Sequence, residues 1–475
     1  MKKIAIIGGG PAGLTAAYEL SKAGVLVELF ESSSSVGGMA KSISLWGQIV
    51  DLGPHRFFSS DRRVNQLWLE VIGQNYSMVK RQTRIYYQNR FFDYPLKAYN
   101  ALFGLGIFQS VFCILSYLKA KILKNYDEST FEGWVCKRFG RRLFNIFFKS
   151  YSEKLWGISC KKLDADFAAQ RIKKLSLYEA ISAAIFKSIG SNHRTLVDEF
   201  AYPNFGAGFI YELMAKKVIE LGGVIRLNTS VQSVAPSTNE TRAFLRLKNG
   251  EELFYDHIIS SMPLTHLVTR MDAPLAIQEH AQCLKFRNTI LVYLQIDANS
   301  PFPDQWIYVH SGNLQTGRIT NFKNWVPSIV QDQKEIILCL EYWCYDEDLV
   351  WGMQDEDLIS LATSEIYKTT LIPINSVLDG RVIRVPKCYP VYRAGYKKHL
   401  DPIQDYLSNK TGITAIGRYG SFKYNNQDHS ILMGILAAEN LTQNTNHNLW
   451  GINSDYEYQE SCRITATGLD WGAAQ

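Results

Sequence analysis

The turn Gly8-Gly9-Gly10-Pro11-Ala12-Gly13 restricts what this chain can fold into more than any other segment. It follows a short apolar run, Ile4-Ala5-Ile6-Ile7, and leads into residues 11–23, where Leu14, Ala17 and Leu20 share one face. The first pattern is that of a parallel strand buried on both sides, and the second that of an amphipathic helix. A second apolar run, residues 25–30, ends at Glu31 and completes a βαβ unit. Each glycine of Gly8-x-Gly10-x-x-Gly13 has its own steric reason. Gly8 permits the tight turn, Gly10 lets a pyrophosphate approach the backbone, and Gly13 lets helix and strand pack closely. The helix start then presents its partial positive charge to the phosphates. Glu31 stands at the spacing of an acid that holds ribose hydroxyls. A dinucleotide-binding unit is therefore expected at the N-terminus.

The rest of the chain is long enough for more than that unit. At 475 residues, two or three domains are expected. A hydrophobic fraction of 46% excludes a disordered chain. The formal charge of +6, spread over this length, speaks against a dedicated nucleic-acid binder and allows an anionic ligand. The eight cysteines form no C-x-x-C pair and have no histidine at metal-ligand spacing, so no metal site is expected and a reducing, cytoplasmic setting is. Residues 101–118 are apolar nearly all round and are followed by Lys119, Lys121 and Lys124. The run is slightly short of the ~20 residues of a membrane span. Two readings stay open for it: a buried or partner-facing helix, and a peripheral helix lying on a membrane surface with its lysines at the headgroups.

Beyond Glu31, the pair Gly37-Gly38 completes an E-x(5)-G-G pattern, which resembles the signature of FAD-dependent oxidoreductases of the glutathione-reductase fold. Residues 223–234, with Val231, resemble the segment of that superfamily that contacts the adenine. Residues 417–430 (GRYGSFKYNNQDHS) closely resemble the flavin-binding end of UDP-galactopyranose mutases, the eukaryotic type above all. A glycine turn before a helix suits that role on physical grounds, because the helix amides favour negative charge at the flavin edge and Arg418 would add a fixed cation. Residues 53–59 (GPHRFFS) resemble the mutase histidine loop, with Pro54 where the family has glycine. Tyr94-Pro95, Gln170-Arg171, Trp306, Tyr308, Arg318 and Tyr389-Pro390 align in the same order. Ser152 stands where mutases commonly carry asparagine, so the sugar need not be galactose.

The resemblance implies an α/β protein with a Rossmann-like FAD-binding domain, a helical insertion and an antiparallel-sheet substrate domain. The FAD domain is expected at 1–75, 201–262 and 408–445, the helical part at 101–200, the sheet domain at 76–100 and 263–407, and a tail at 446–475. Gly8, Gly10, Gly13, Glu31, Gly38, Val231, Gly417, Arg418, Gln427 and Asp428 are the expected FAD contacts. Tyr94, Tyr151, Ser152, Trp156, Trp306, Tyr308, Tyr389 and Tyr424 are expected around the substrate. Arg171 and Arg318 are suited to a diphosphate by their bidentate forks, and a tryptophan, Trp156 or Trp306, to stacking on uracil. His55 is expected against the flavin. The implied activity is a nucleotide-sugar mutase serving cell-surface polysaccharide synthesis, in which reduced FAD bonds through N5 to the sugar while its ring size changes, with NAD(P)H as the reductant. The alternative is an FAD-dependent oxidase or desaturase acting on a small or lipophilic substrate.

Overall fold

The computed structural model describes residues 2–94, 104–122, 126–167, 199–297, 302–331, 333–453 and 463–470. Arg171, with the 168–198 part of the expected helical region, lies outside the described residues.

Strand Lys3–Ile7 is buried from Ile4 onward and occupies the centre of a five-stranded sheet. The order is Ile413–Ala415, His257–Ser260, Lys3–Ile7, Leu26–Phe30, Val224–Arg226, and every neighbouring pair is parallel. Three widely separated stretches of sequence, within 3–30, 224–260 and 413–415, thus build one sheet. Helix Pro11–Lys22 starts with proline, whose fixed φ suits the first helical position. It buries Leu14, Ala17 and Leu20 and packs against the closing helix Gln427–Thr442. In open parallel sheets ligands bind beyond the carboxyl ends of the strands. Gly8, Glu31, Ser261 and Gly417 all sit just beyond such ends.

A seven-stranded sheet faces that edge. Its order is Val377–Pro390, Phe286–Ile296, Ile336–Cys344, Arg318–Asn321, Trp306–Val309, Thr83–Tyr87, Arg90–Asp93. The sheet is not wholly antiparallel as expected, since Trp306–Val309 runs parallel to Thr83–Tyr87. Residues 76–80 leave this sheet altogether and pair with Glu199–Pro203. Side chains alternate across a strand. Ile307, Val309, Leu338 and Leu340 therefore pack on one side with Leu358, Ala362 and Ile366 of helix Asp355–Lys368. Trp306, Tyr308, Glu341 and Tyr389 are left for the side nearer the parallel sheet.

Over its described residues the apolar run 101–118 is not buried, which leaves its partner-facing and membrane-surface readings. Its residues 107–118 belong to helix Ile107–Ile122, which buries only Cys113 and Ala120 and leaves most of its apolar side chains exposed. Among the described residues, no helix is long and apolar enough to cross a membrane.

Candidate functional site

A single cavity of about 1010 Å³ runs from the glycine turn at Gly8 and Gly10 to the wall formed by Tyr308, Arg318, Tyr389 and Tyr424. That is the upper end of the ~300–1,000 Å³ usual for small-molecule and cofactor sites.

The N-terminal end fits a dinucleotide by its backbone. Gly8 has φ +100°, and a Cβ there would collide with Ser261 Oγ. A Cβ on Gly13 would collide with the carbonyl oxygen of Gly8, so the helix can approach the strand only through a bare Cα. Gly38 brings the second glycine pair to the first, because a Cβ on it would lie 3.0 Å from the Cα of Gly10. The helix start at Gly10 has no side-chain cap. Its first amides are thus available to an anion. This cradle fits the pyrophosphate of FAD.

Glu31 has a second task there. Its Oε2 accepts from the Gly9 amide at 2.7 Å, and its Oε1 accepts from the Ser33 amide and hydroxyl, each at 2.8 Å. The carboxylate therefore ties the glycine turn to the next loop while lining the cavity. Val231, at the start of strand Val231–Ala235, lines the same end. Lys41 also lines it, 3.5 Å from Ser33 Oγ. Sequence reasoning passed over Lys41, although it lies three residues beyond Gly38.

The other end is built by the seven-stranded sheet and the segment 417–428. Arg418 donates through Nε and Nη2 to the Cys388 carbonyl at 3.1 and 3.0 Å, and through Nη1 to the Asn425 carbonyl at 2.8 Å. It also lies over the rings of Tyr424 (4.3 Å) and Tyr389 (5.0 Å). Burial opposes its charge, but the surrounding tyrosines and Cys388 hold its pKa above the usual value. Among the described residues none of its hydrogen bonds is to a carboxylate, so it brings a net positive charge to the cavity. Tyr389 and Tyr424 stack 5.5 Å apart at 19°. Burial pushes the Tyr389 hydroxyl well above its usual pKa and keeps it a proton donor.

Arg318 lines the cavity and is engaged by an acid within the protein. Its Nε and Nη2 each donate to one oxygen of Glu341 at 2.6 Å. The two residues are direct cross-strand partners. Glu341 neutralises the cation, and among the described residues Nη1 is the guanidinium nitrogen left for a ligand. Sequence reasoning missed Glu341. The available signal was a lone acid inside the apolar run Ile336–Cys344.

The aromatic residues divide. Tyr94, Tyr308, Trp306, Tyr389 and Tyr424 line the cavity. Tyr94 packs against Tyr308 at 4.7 Å and is half-exposed. Trp306 stacks on Trp325 at 5.6 Å, and its Nε1 is buried without a hydrogen-bond partner among the described residues. Trp156 is fully buried, does not line the cavity and stands edge-on behind Tyr389 and Tyr424. It braces the tyrosine pair rather than offering a face to a uracil. Tyr151 stacks on His310 at 4.6 Å, and neither it nor the buried Ser152 is part of the described wall. Both lie on helix Ser150–Trp156, and Tyr151 stands edge-on to Tyr308 of the wall at 5.6 Å.

Gln427 and Asp428 line the cavity but are engaged within the protein. Gln427 accepts from Tyr211 at 2.7 Å and donates to the carbonyls of His55 and Arg56, tethering the histidine loop. Asp428 is buried with its Oδ1 3.3 Å from His429 Nδ1. The helix start here is capped, because the Asn426 side chain takes the His429 amide and His429 Nδ1 accepts from the Asn426 amide. Fewer of its amides are left for a ligand than the sequence implies.

His55 lies on the cavity wall with Nε2 2.9 Å from the Leu52 carbonyl. Burial lowers its pKa to about 4, with Arg318 and Arg418 adding to the effect. It is neutral at pH 7, carries its proton on Nε2 toward Leu52, and leaves Nδ1 as an acceptor. Burial also lowers His257 to about 4 and His310 to about 3. These three stay unprotonated in the fold where an unfolded chain, with pKa ~6.5, binds protons. Stability is therefore lost as pH falls from about 6.5 toward about 4. Asp51, buried and pushed up to about 6, works the other way between its unfolded value of 3.8 and about 6. His266, which burial also lowers to about 4, joins these three, and the four histidines outweigh Asp51 together with Asp164 and Asp304, which burial raises in the same sense as Asp51. The thermal midpoint is expected to fall steadily on acidification from about pH 7 to about pH 5. A flat or rising midpoint in calorimetry over that range would contradict the buried neutral histidines.

Several known proteins share this arrangement of sheets. A structure of reduced UDP-galactopyranose mutase superposes with a TM-score of 0.83 at 21% identity, covering 94% of this chain and 97% of that one. A putative protoporphyrinogen oxidase from Exiguobacterium superposes at 0.72 with 16% identity, covering 94% and 99%. At these identities the likeness is one of fold. In sequence, a 4,4'-diapophytoene desaturase from Methylomonas is 23% identical over 345 residues, 64% of this chain and 63% of the desaturase. A probable UDP-galactopyranose mutase from Klebsiella pneumoniae is 26% identical over 176 residues, 34% of this chain and 43% of the mutase. The chain thus spans less than two thirds of the length of either curated relative. Residues 11–379 match the sequence profile described as flavin containing amine oxidoreductase, from the first helix into the last strand of the seven-stranded sheet, and the chain belongs to that family.

Proposed function

We propose that this flavoprotein is a nucleotide-sugar mutase, interconverting the ring forms of a UDP-sugar without net oxidation. The observation that carries this reading is the chemistry of the wall beyond the glycine cradle. Four tyrosines (Tyr94, Tyr308, Tyr389, Tyr424) and two arginines (Arg318, Arg418) meet there on one cavity. Hydroxyl donors and guanidinium groups suit a polar, anionic substrate. They are poorly suited to an apolar polyene. The full-length fold likeness to a UDP-galactopyranose mutase supports the same reading.

In this proposal the residues divide their work by charge. Held by Gly8, Gly10, Glu31 and Gly38, reduced FAD would supply a nucleophile for the sugar's anomeric carbon, with the nucleotide diphosphate as the leaving group that returns at the end. Arg418 holds positive charge beside the flavin edge. His55, neutral with Nδ1 free to accept, orients without transferring charge. Arg318 contacts the diphosphate through Nη1 while Glu341 fixes the guanidinium plane. Tyr389 and Tyr424 offer hydroxyls to phosphate oxygens, and the Trp306 indole N–H supplies a further donor at the wall. Arg171 is the second diphosphate cation. Ser152 does not line the cavity, so the sugar is identified by testing a panel rather than by that position.

The test is turnover of a UDP-sugar panel by dithionite-reduced and by oxidised enzyme, with products separated by anion-exchange chromatography. Conversion by the reduced form alone, with no acceptor consumed, is expected. Stoichiometric oxygen uptake with a dehydrogenated product would replace the proposal with the oxidase or desaturase reading, which the alignment with a diapophytoene desaturase favours.

A further inference from the structure

We propose that helix Ile107–Ile122 is the surface by which this protein lies on an anionic lipid bilayer. The helix is amphipathic in the reverse sense to an ordinary surface helix. The side it turns to the protein is small and polar. Cys113 and Ala120 are buried against helix Phe131–Leu143. Gln109 accepts from Arg142 Nε at 3.1 Å and Nη2 at 2.5 Å, and Ser116 Oγ accepts from the Arg142 amide at 3.1 Å. The two helices meet closely at Gly140, which has φ +80° and where a Cβ would lie 2.7 Å from the Tyr117 amide nitrogen. That contact fixes which side faces outward.

The outward side is apolar. Phe108 is 84% exposed, Ile107 82% and Ile122 78%, and Val111, Phe112, Leu115 and Leu118 are about half exposed. At about 100° per residue these seven fall within one arc of roughly 140°. Lys119 lies at one border of that arc and Lys121 at the other, both exposed. A helix with a broad apolar face and lysines at its edges suits the bilayer interface, where such faces bury to about 5–10 Å. Long lysine stems let the ammonium groups reach the headgroups.

Charge decides between lipid and a second copy of the chain. From Tyr94 to Tyr126 there is no Asp or Glu, and there are four lysines: Lys97, Lys119, Lys121 and Lys124. Arg142, on the neighbouring helix, is exposed and lies 5.7 Å from the Phe112 ring. A two-fold contact through this face would bring the same lysines of both copies together with no acid between them. Anionic headgroups supply the missing countercharge. The helix lies on the membrane rather than crossing it, since it has 16 residues against the ~20 needed for a span.

The experiment is co-sedimentation of the flavin-loaded full chain with vesicles of phosphatidylcholine alone and of phosphatidylcholine with phosphatidylglycerol, at low and high salt. Binding to the anionic vesicles, weakened by salt, is expected. The exposed triple substitution Phe108→Ser, Phe112→Ser, Leu115→Ser should retain flavin and lower the partition constant at least about tenfold. Lys119→Ala with Lys121→Ala should lower it severalfold and reduce the salt dependence. Failure of the unmodified protein to bind the anionic vesicles would overturn the proposal, as would unchanged binding by the triple variant. A dimer in free solution that the triple variant turns into a monomer would overturn it in favour of a second copy.

Discussion

Glu341→Ala is expected to destabilise the protein by about 3–5 kcal/mol, the usual consequence of stranding a buried charge. Both oxygens of Glu341 are engaged by Arg318 at 2.6 Å, and the acid's side chain is 1% exposed against 16% for the arginine. Burial opposes the Arg318 charge and Glu341 holds its pKa well above the usual value; with that partner lost the guanidinium still stays charged at pH 7, because its intrinsic basicity is too high for deprotonation. The opposite truncation is not symmetrical. Arg318→Ala leaves a carboxyl that can take up a proton and become neutral, so a smaller loss is expected. Replacing both residues by apolar ones of similar volume should restore much of the stability, because the pair is itself expensive to desolvate. Urea unfolding of the two single variants and the double variant reads all three. A Glu341→Ala variant within about 1 kcal/mol of the parent would mean that the cation finds water or another partner, and the pair would lose its structural role.

The pair also shows where sequence reading stopped. The glycine cradle was legible because its logic is local: strand, turn and helix lie within residues 3–22, and each glycine answers a short-range steric demand. Arg318 and Glu341 are 23 residues apart and meet through strand register, which no local pattern encodes. The two tryptophans differ in the same way. Trp306 and Trp156 look equivalent in sequence, but strand alternation puts Trp306 on the cavity while Trp156 backs the tyrosine pair. The cap at Asn426 went unread because histidine, rather than Glu or Gln, closes it. The run 101–118 gave no facing direction, since an all-round apolar pattern has no preferred side. The polar contacts of Arg142 and the close approach at Gly140 supply that direction in three dimensions.

Gly13 and Gly10 should respond differently to substitution, and the difference separates packing from cofactor binding. A valine at Gly13 would drive its Cβ into the Gly8 carbonyl, with Gly8 C and Ile6 Cγ2 next at 3.2 and 3.3 Å. Only a shift of the helix away from the central strand relieves that contact. Gly13→Val is therefore expected to lose both flavin and stability, by several kcal/mol as for other overpacked cores. A Cβ at Gly10 meets nothing closer than the Gly38 Cα at 3.8 Å, an ordinary contact. The protein itself therefore tolerates Gly10→Ala. The methyl group instead occupies the space through which a pyrophosphate approaches the uncapped helix start. Gly10→Ala should fold with the unfolding midpoint of the flavin-free parent yet purify with a flavin content reduced at least about tenfold. Flavin content is read from the visible absorbance of the purified protein, and stability from thermal unfolding after flavin removal. If Gly10→Ala kept a full complement of flavin, the pyrophosphate would not pass over this turn, and the cradle would be a packing device alone.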